Sequence, residues 1–395
     1  MRNISASYIF TGKGKFLKNG IIKLDDNNII IDVVDTKGEI KETPQLEHYN
    51  GIICPGFVNA HCHLELSYMK GMFEKSENIT GFISQMIKKR EINKSNSEES
   101  ILLADNDMQR NGIIACGDIS NTEKSFTVKA NSKIKYYNFI EVLGLNENDS
   151  NNIINKAKEI VQAAFKTNAG DSSISPHASY SLSLKLLKAV KENAEKTQSI
   201  ISFHNQESKE EAGLFSKTSN NLSEILNKIG LTENNFPKTD KSTLESLINN
   251  LPQHNNILLI HNVFTESKDI ELANKYFNHH FWVFCPKSNL FISNTLPNIS
   301  LFMQSIDNIC IGTDSLSSNN TLSILEEIKV IQHHFPQISL ELLLQWSTIN
   351  GAKALKMDKV IGDFEKGKKP GVNLIYNLDL LNLKLTNNTA IKVLV

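Results

Sequence analysis

The stretch GFVNAHCHLELSYMKG, residues 56–71, runs from an apolar segment into two histidines one residue apart. Side chains alternate along a strand, so His61 and His63 share a face and Cys62 takes the other. In a chain with 11 histidines an H-x-H pair alone is weak. Its meaning depends on what the rest of the chain places beside it.

From Gly56 onward, short apolar runs alternate with longer amphipathic segments, the pattern of repeated βα units. Eight strands are predicted at FVNAHCHL, IIACGDIS, KIKYYNFIEVLG, SSISPHAS, SIISFHNQ, NNILLIHNV, FWVFCPKS and DNICIGTDS. Helices are predicted between them at GFISQMIKKREI, NIINKAKEIVQAAF, SLKLLKAVKENAEK, DIELANKYF and TLSILEEIKVIQHHF, with ELLLQWSTINGAKAL as one more. The 300 residues from Gly56 to Leu355 suit an α/β fold of the (β/α)8 TIM-barrel type with insertions. A doubly wound open sheet is the competing architecture. The polar region from Lys217 to Asn256 reads as a helical insertion. The first 50 residues contain β-rich pieces (ASYIF, GIIKL, IIIDVV) that look like hairpin strands. The chain ends in strand-like GVNLIYNLDL and LTNNTAIKVLV. The expected division is a split β domain, 1–55 plus 360–395, beside a barrel at 56–359.

Composition narrows the function class. Lys plus Arg number 42 and Asp plus Glu 43, for a net charge of −1. That balance gives no electrostatic reason to expect nucleic acid or an anionic membrane as partner. No apolar run approaches the roughly 18 residues of a membrane span, and MRNISASYIF lacks a signal-peptide layout. A cytoplasmic enzyme with a small-molecule substrate is the expectation, with a homodimer the commonest closed assembly. Cys54, Cys62, Cys116, Cys285 and Cys310 are odd in number, with no C-x-x-C. They read as reduced, buried thiols rather than a disulfide framework or a thiolate metal site.

Barrel chemistry is built at the C-terminal ends of the strands. Those ends carry His61 and His63 on strand 1, His177 on strand 4, and His204 with Glu207 on strand 5. Strand 6 carries His261 and strand 8 carries Asp314. Imidazole nitrogens and carboxylate oxygens are the donors that a divalent ion and its bound water need. Chance placement at this many strand ends is a poor explanation. The other histidines, His48, His254, His279, His280, His333 and His334, read as turn or helix-surface residues without a role.

These residues carry a resemblance. PGFVNAHCHLELS, SPHASYSLS, SFHNQES, LIHNVF, FCPKSNLFI, GTDSLSSNNTL, TINGAKAL and IGDFEKGKKPG together resemble the amidohydrolase superfamily, in its deaminase branch. HCHLELSYMKG, His204-x-x-Glu207 and CPKSN are most similar to the aminodeoxyfutalosine, S-adenosylhomocysteine and methylthioadenosine deaminases. The resemblance covers nearly the whole chain, and the β-rich ends would form the superfamily's small split sandwich. It implies His61, His63, His204 and Asp314 as metal ligands, His261 beside the activated water, and Glu207 as proton shuttle. His177 would touch substrate from strand 4, where two-metal relatives carry a carboxylated lysine. SPHASYS has no lysine, so one divalent ion is expected, Zn first, with Fe(II) or Mn also suited to three histidines and an aspartate. One departure is GKKPGVNLI, which has Gly371 where many relatives have an acid.

The implied activity is hydrolytic deamination of an adenine-bearing nucleoside, with activated water attacking the amine-bearing ring carbon and ammonia leaving. The alternatives are a cyclic-amide hydrolase of the imidazolonepropionase type, a deaminase of guanine or cytosine, and a non-catalytic scaffold, which should have lost ligands. For Glu207 the competing reading is a surface carboxylate opening ESKEEAGLF. Glu65 either meets a ribose hydroxyl or caps its loop, and Lys70, Arg90 and Lys287 are candidates for an anionic substrate group. Ser323 with Glu326 fits a capping box, which makes the Ser/Asn cluster after Asp314 structural. The sequence does not name the substrate.

Overall fold

The computed structural model describes residues 1–39, 45–89, 92, 97–215, 221–228 and 239–395. Eight parallel strands organise it: β1 (Phe57–Cys62), β2 (Ile113–Ser120), β3 (Lys135–Val142), β4 (Asp171–Pro176), β5 (Ile201–Asn205), β6 (Asn256–His261), β7 (His279–Phe284) and β8 (Ile309–Ile311). They are the eight segments expected from the sequence. β1 to β4 form one four-stranded sheet in chain order, and β5 to β8 form another. Isolated parallel bridges tie the two sheets at both edges, Cys62 to Asp314 and Ala178 to His204. Residues of β1 and β6 are buried along their whole length, as expected of parallel strands covered on both faces.

Helices follow most strands. Ser150–Thr167, Leu184–Thr197, Ser267–Tyr276 and Ile324–His334 lie where the apolar periodicity placed them. Ser97–Arg110 was not expected; its sequence SEESILLADNDMQR carries its few apolar residues among charges. ELLLQWSTINGAKAL is two helices rather than one, Leu340–Ser347 and Ile349–Ala354. The break is at Thr348 (φ −128°, ψ −91°), where the Ser347 and Thr348 hydroxyls each donate to the carbonyl four residues back, at 2.6 Å. Such back-bonding competes with the helix ladder and bends it. Ile324–His334 starts after Ser323 as expected, but the Ser323 side chain makes no capping bond. Of the 217–256 insertion, helices Asn221–Lys228 and Thr243–Leu247 are described, and 229–238 lies outside the described residues.

Both ends of the chain join one seven-stranded sheet. Arg2–Ile9 runs parallel to Leu46–Cys54, so not every early strand is a hairpin partner. Asn373–Tyr376 pairs antiparallel with Leu46–Cys54 and with Ala390–Val393. Ile4, Ile22, Leu24, Ile53, Phe364 and Leu374 form an apolar cluster of their own there. All five cysteines are free and buried. Among the described residues no helix is long and apolar enough to cross a membrane.

Three histidines read as turn or surface residues lie on strands instead: His48 in Leu46–Cys54, and His279 and His280 opening β7. The turn signals around them are weak because β7 begins at a polar edge before its apolar run. His280 is buried against Trp282 and Phe277, and among the described residues its Nε2 has no hydrogen-bond partner. Burial lowers its pKa from 6.5 to about 4. The unfolded chain therefore binds more protons between those values, and stability is complete above about pH 6.5 and lost as pH falls through this window. By about pH 5 the loss should be roughly 2 kcal/mol. Denaturant midpoints measured near neutrality and at about pH 5 should show a smaller drop for His280→Phe than for the parent. An equal drop would remove His280 as its source.

Candidate active site

The polar strand ends converge because the two sheets meet there. At one seam, the Thr313 and Asp314 amides donate to the His61 carbonyl at 3.0 and 3.1 Å. Asn59 reinforces it, donating to Thr313 Oγ1 at 2.7 Å and accepting from Thr313 N at 3.1 Å. Gly312 permits the close approach, since a Cβ there would meet His61 Cβ and O at 2.9 Å. At the other seam, His204 N donates to the His177 carbonyl at 2.9 Å. Each seam thus delivers donors to one spot. Asp314 and His261 hold left-handed backbone, φ 58° and 73°. Such strain costs about 1–3 kcal/mol per residue and persists where the surrounding structure over-determines it.

His63 Nε2 lies 3.2 Å from His61 Nε2 and 3.3 Å from His204 Nε2. Asp314 Oδ1 is 3.5 Å from His63 Nε2 and 3.8 Å from His61 Nε2. Donors about 2.0–2.2 Å from a tetrahedral ion are separated by roughly 3.3–3.6 Å, so the three imidazoles suit one divalent ion, with Asp314 beside His61 and His63. Burial, reinforced by the neighbouring histidines, pushes the His61 and His204 pKa values well below 6.5 and keeps both rings neutral, as ligation requires. His204 Nδ1 donates to the His177 carbonyl at 2.9 Å, leaving the Nε2 lone pair to face the cluster. Burial alone would raise Asp314, but His63, His261 and the hydroxyls of Ser288 and Ser318 hold it below the usual carboxylate value.

Glu207 is buried, which excludes the surface reading. Its Oε1 is 3.5 Å from His261 Nε2. Burial, then Asp314 and Glu211, push its pKa well up, while burial lowers His261 to about 4. The contact is therefore between neutral groups and not an ion pair. Asn289 meets His261 Nδ1 at 3.0 Å and fixes the ring.

Around this centre the comparisons have a definite meaning. The amidohydrolase family model matches residues 52–393. The chain belongs to the amidohydrolase family. It is 25% identical to the adenosine deaminase of Helicobacter pylori over 402 residues, 98% of this chain and 94% of that one. Among solved structures it resembles the Helicobacter pylori aminofutalosine deaminase in complex with methylthio-coformycin, with a TM-score of 0.79 and 23% identity over 95% of this chain and 93% of that one. It also resembles a zinc-bound adenosine deaminase from Xanthomonas campestris, with a TM-score of 0.75 and 18% identity over 98% and 87% of the two chains.

Within this amidohydrolase, His61, His63, His204, His261, Glu207 and Asp314 lie together, and the His177 ring lies 4.8 Å from that of His204, tilted by 45°. Glu65 is engaged elsewhere: its carboxylate accepts from the amides of Asn121 and Thr122 and from Thr122 Oγ1, tying the loops after β1 and β2. Of the two sequence readings, this is the loop cap. Lys70 and Lys287 line a separate groove of 570 Å³ beside Ser318, and Lys287 Nζ donates to Asn320 Oδ1 at 2.5 Å. Arg90 lies outside the described residues.

Sequence reasoning missed the residues that hold the site. Glu211 accepts from the amides of Gln206 and Glu207 and from Ser179 Oγ, fixing the turn that carries Glu207. Asp118 accepts from Leu64 N at 2.7 Å, directly after His63, and pairs with Lys129 Nζ at 2.6 Å. Lys129 is fully buried and also donates to Ser120 and Asn138. Cys62 and Cys116 lie beside Asp118. Burial pushes both thiols up, so they remain neutral packing groups. Ser288 and Ser318 fall within the motifs CPKSN and GTDSLSSNNTL, yet nothing in their spacing points to Asp314.

Proposed function

We propose that this chain hydrolytically deaminates an adenine-bearing nucleoside, of aminodeoxyfutalosine-like, S-adenosylhomocysteine-like or methylthioadenosine-like type. The observation that carries the reading is the buried Glu207 carboxyl against His261, beside three imidazoles that can share one ion and the Asp314 carboxylate next to two of them. Its likeness to an adenosine deaminase and to an aminofutalosine deaminase supports the substrate class. We take the eight parallel strands as a closed (β/α)8 barrel, 56–359, and the terminal sheet as a separate domain, 1–55 plus 360–395. The bridges at both seams and the separate apolar cluster support this division.

His61, His63, His204 and Asp314 would hold the ion, and zinc is favoured by the zinc-bound relative. Bound there, it would activate a water for attack at neutral pH. Asp314, held by Ser288 and Ser318, accepts the water's proton. Glu207 delivers its proton to the ring nitrogen next to the amine-bearing carbon, and His261 orients the oxygen being added. The C–N bond breaks as the proton held by Asp314 passes to the amine; the added oxygen returns its remaining proton to Glu207 as it becomes a carbonyl, and ammonia leaves. His177 contacts the nucleoside from the β4 side. Five buried, unpaired thiols suit a cytoplasmic setting.

An ammonia-release screen over adenosine, methylthioadenosine, S-adenosylhomocysteine, guanine and cytosine tests the reading. Release from an adenine nucleoside, with the accompanying ultraviolet shift, is expected. Ring opening of a cyclic amide without ammonia from any of these would replace it.

A further inference from the structure

Glu141 stands at the C-terminal end of β3 with its side chain 6% exposed. Its Oε2 accepts from Asn121 Nδ2 at 3.0 Å. Among the described residues its buried Oε1 has no hydrogen-bond partner; it lies 3.8 Å from His204 Nδ1. That nitrogen already donates to the His177 carbonyl. A buried carboxylate oxygen without a donor is costly, and native structures pair such atoms with protein, water or ligand.

Three observations bear on which partner fits. Glu141, His177 and His204 are close enough together to suggest a second cation. However, His204 Nδ1 carries the proton given to the His177 carbonyl and cannot ligate at the same time. Second, the carboxylate is already oriented: Glu65 holds the amides of Asn121 and Thr122, and the Asn121 side chain holds Glu141. Third, His204 divides the site. Its Nε2 faces the cluster with His61, His63 and Asp314, and Glu207 and His261 come from β5 and β6. Its Nδ1 faces β3 and β4, which carry Glu141 and His177. On the adenine-nucleoside reading the amine belongs on the Glu207 flank, which leaves the β3 and β4 side of His204 for the sugar.

We propose that Glu141 Oε1 accepts a hydrogen bond from a sugar hydroxyl of the nucleoside, making Glu141 a specificity-determining residue. This rests on the adenine-nucleoside reading. An ionised carboxylate accepts only, and a sugar hydroxyl is a donor that a deoxynucleoside lacks at one position.

The test compares kcat/KM for adenosine, 2′-deoxyadenosine and 3′-deoxyadenosine in the parent, Glu141→Leu and Glu141→Gln. The parent should prefer adenosine over one deoxynucleoside by at least about tenfold, the scale of a hydrogen bond to a charged group. That preference should shrink to within about twofold in Glu141→Leu, and ion content should match the parent. Should Glu141→Leu fail to fold, a reduced preference in Glu141→Gln, shown to be folded by thermal melting, supports the assignment equally. No preference in the parent, an equal loss on all three substrates, or loss of the ion would each overturn the assignment while leaving the deaminase reading intact. Ammonia from none of the three overturns this assignment, and ammonia from neither these nor methylthioadenosine and S-adenosylhomocysteine overturns the adenine-nucleoside reading itself.

Discussion

Glu207→Gln is expected to keep its full complement of ion and to lose at least about a hundredfold in kcat, the usual scale for general acid–base groups. The amide preserves the side chain's volume and its place against His261. The backbone remains fixed, because Glu207 N donates to Glu211 Oε2 at 2.9 Å whatever the side chain. Burial already holds the carboxyl well above its usual pKa, so the substitution removes a proton donor and not a buried charge. The deficit should therefore fall on kcat, with KM little changed and the melting temperature retained. Elemental analysis and steady-state kinetics on one preparation check this. Near-normal turnover would remove Glu207 from the mechanism.

Exchanging His61 for alanine should abolish ion binding and ammonia release together. Its Nε2 sits 3.2 Å from that of His63, so its loss removes one of four donors and weakens affinity by at least about a hundredfold, beyond the 10–100-fold typical of outer partners. The β1–β8 seam should survive, because it is built on the His61 carbonyl and on Asn59 and not on the imidazole. A folded protein without stoichiometric ion is the expected product. A variant that is both ion-replete and active would sink the four-donor set.

Both Glu207 and His61 were legible in the sequence, whereas several of their neighbours were not. His61, His63, His204, His261, Glu207 and Asp314 could be picked out because donor residues recurred at the ends of successive apolar runs. Glu65 could not be decided: whether its oxygens face a sugar or the amides of Asn121 and Thr122 depends on a loop 56 residues away in sequence. Glu141 was passed over because one carboxylate at a strand end has no pattern; only its buried, unpartnered oxygen distinguishes it. Nothing along the sequence singles out Lys129, and only folding shows it buried against Asp118. The broken helix at Thr348 was missed because hydroxyl back-bonding leaves the apolar spacing intact.

The order of strands and helices, the balanced charge, the reduced thiols and the roster of metal-type donors follow from the sequence, since local periodicity and residue chemistry are carried along the chain. The pairing of β1 with β8 and of β4 with β5 was decided only in three dimensions. Those long-range seams bring the His204 imidazole to 3.3 Å from that of His63, and closure of the fold buries Glu207 and raises its pKa. Separation and desolvation depend on what closes around a residue, and that is a property of the fold.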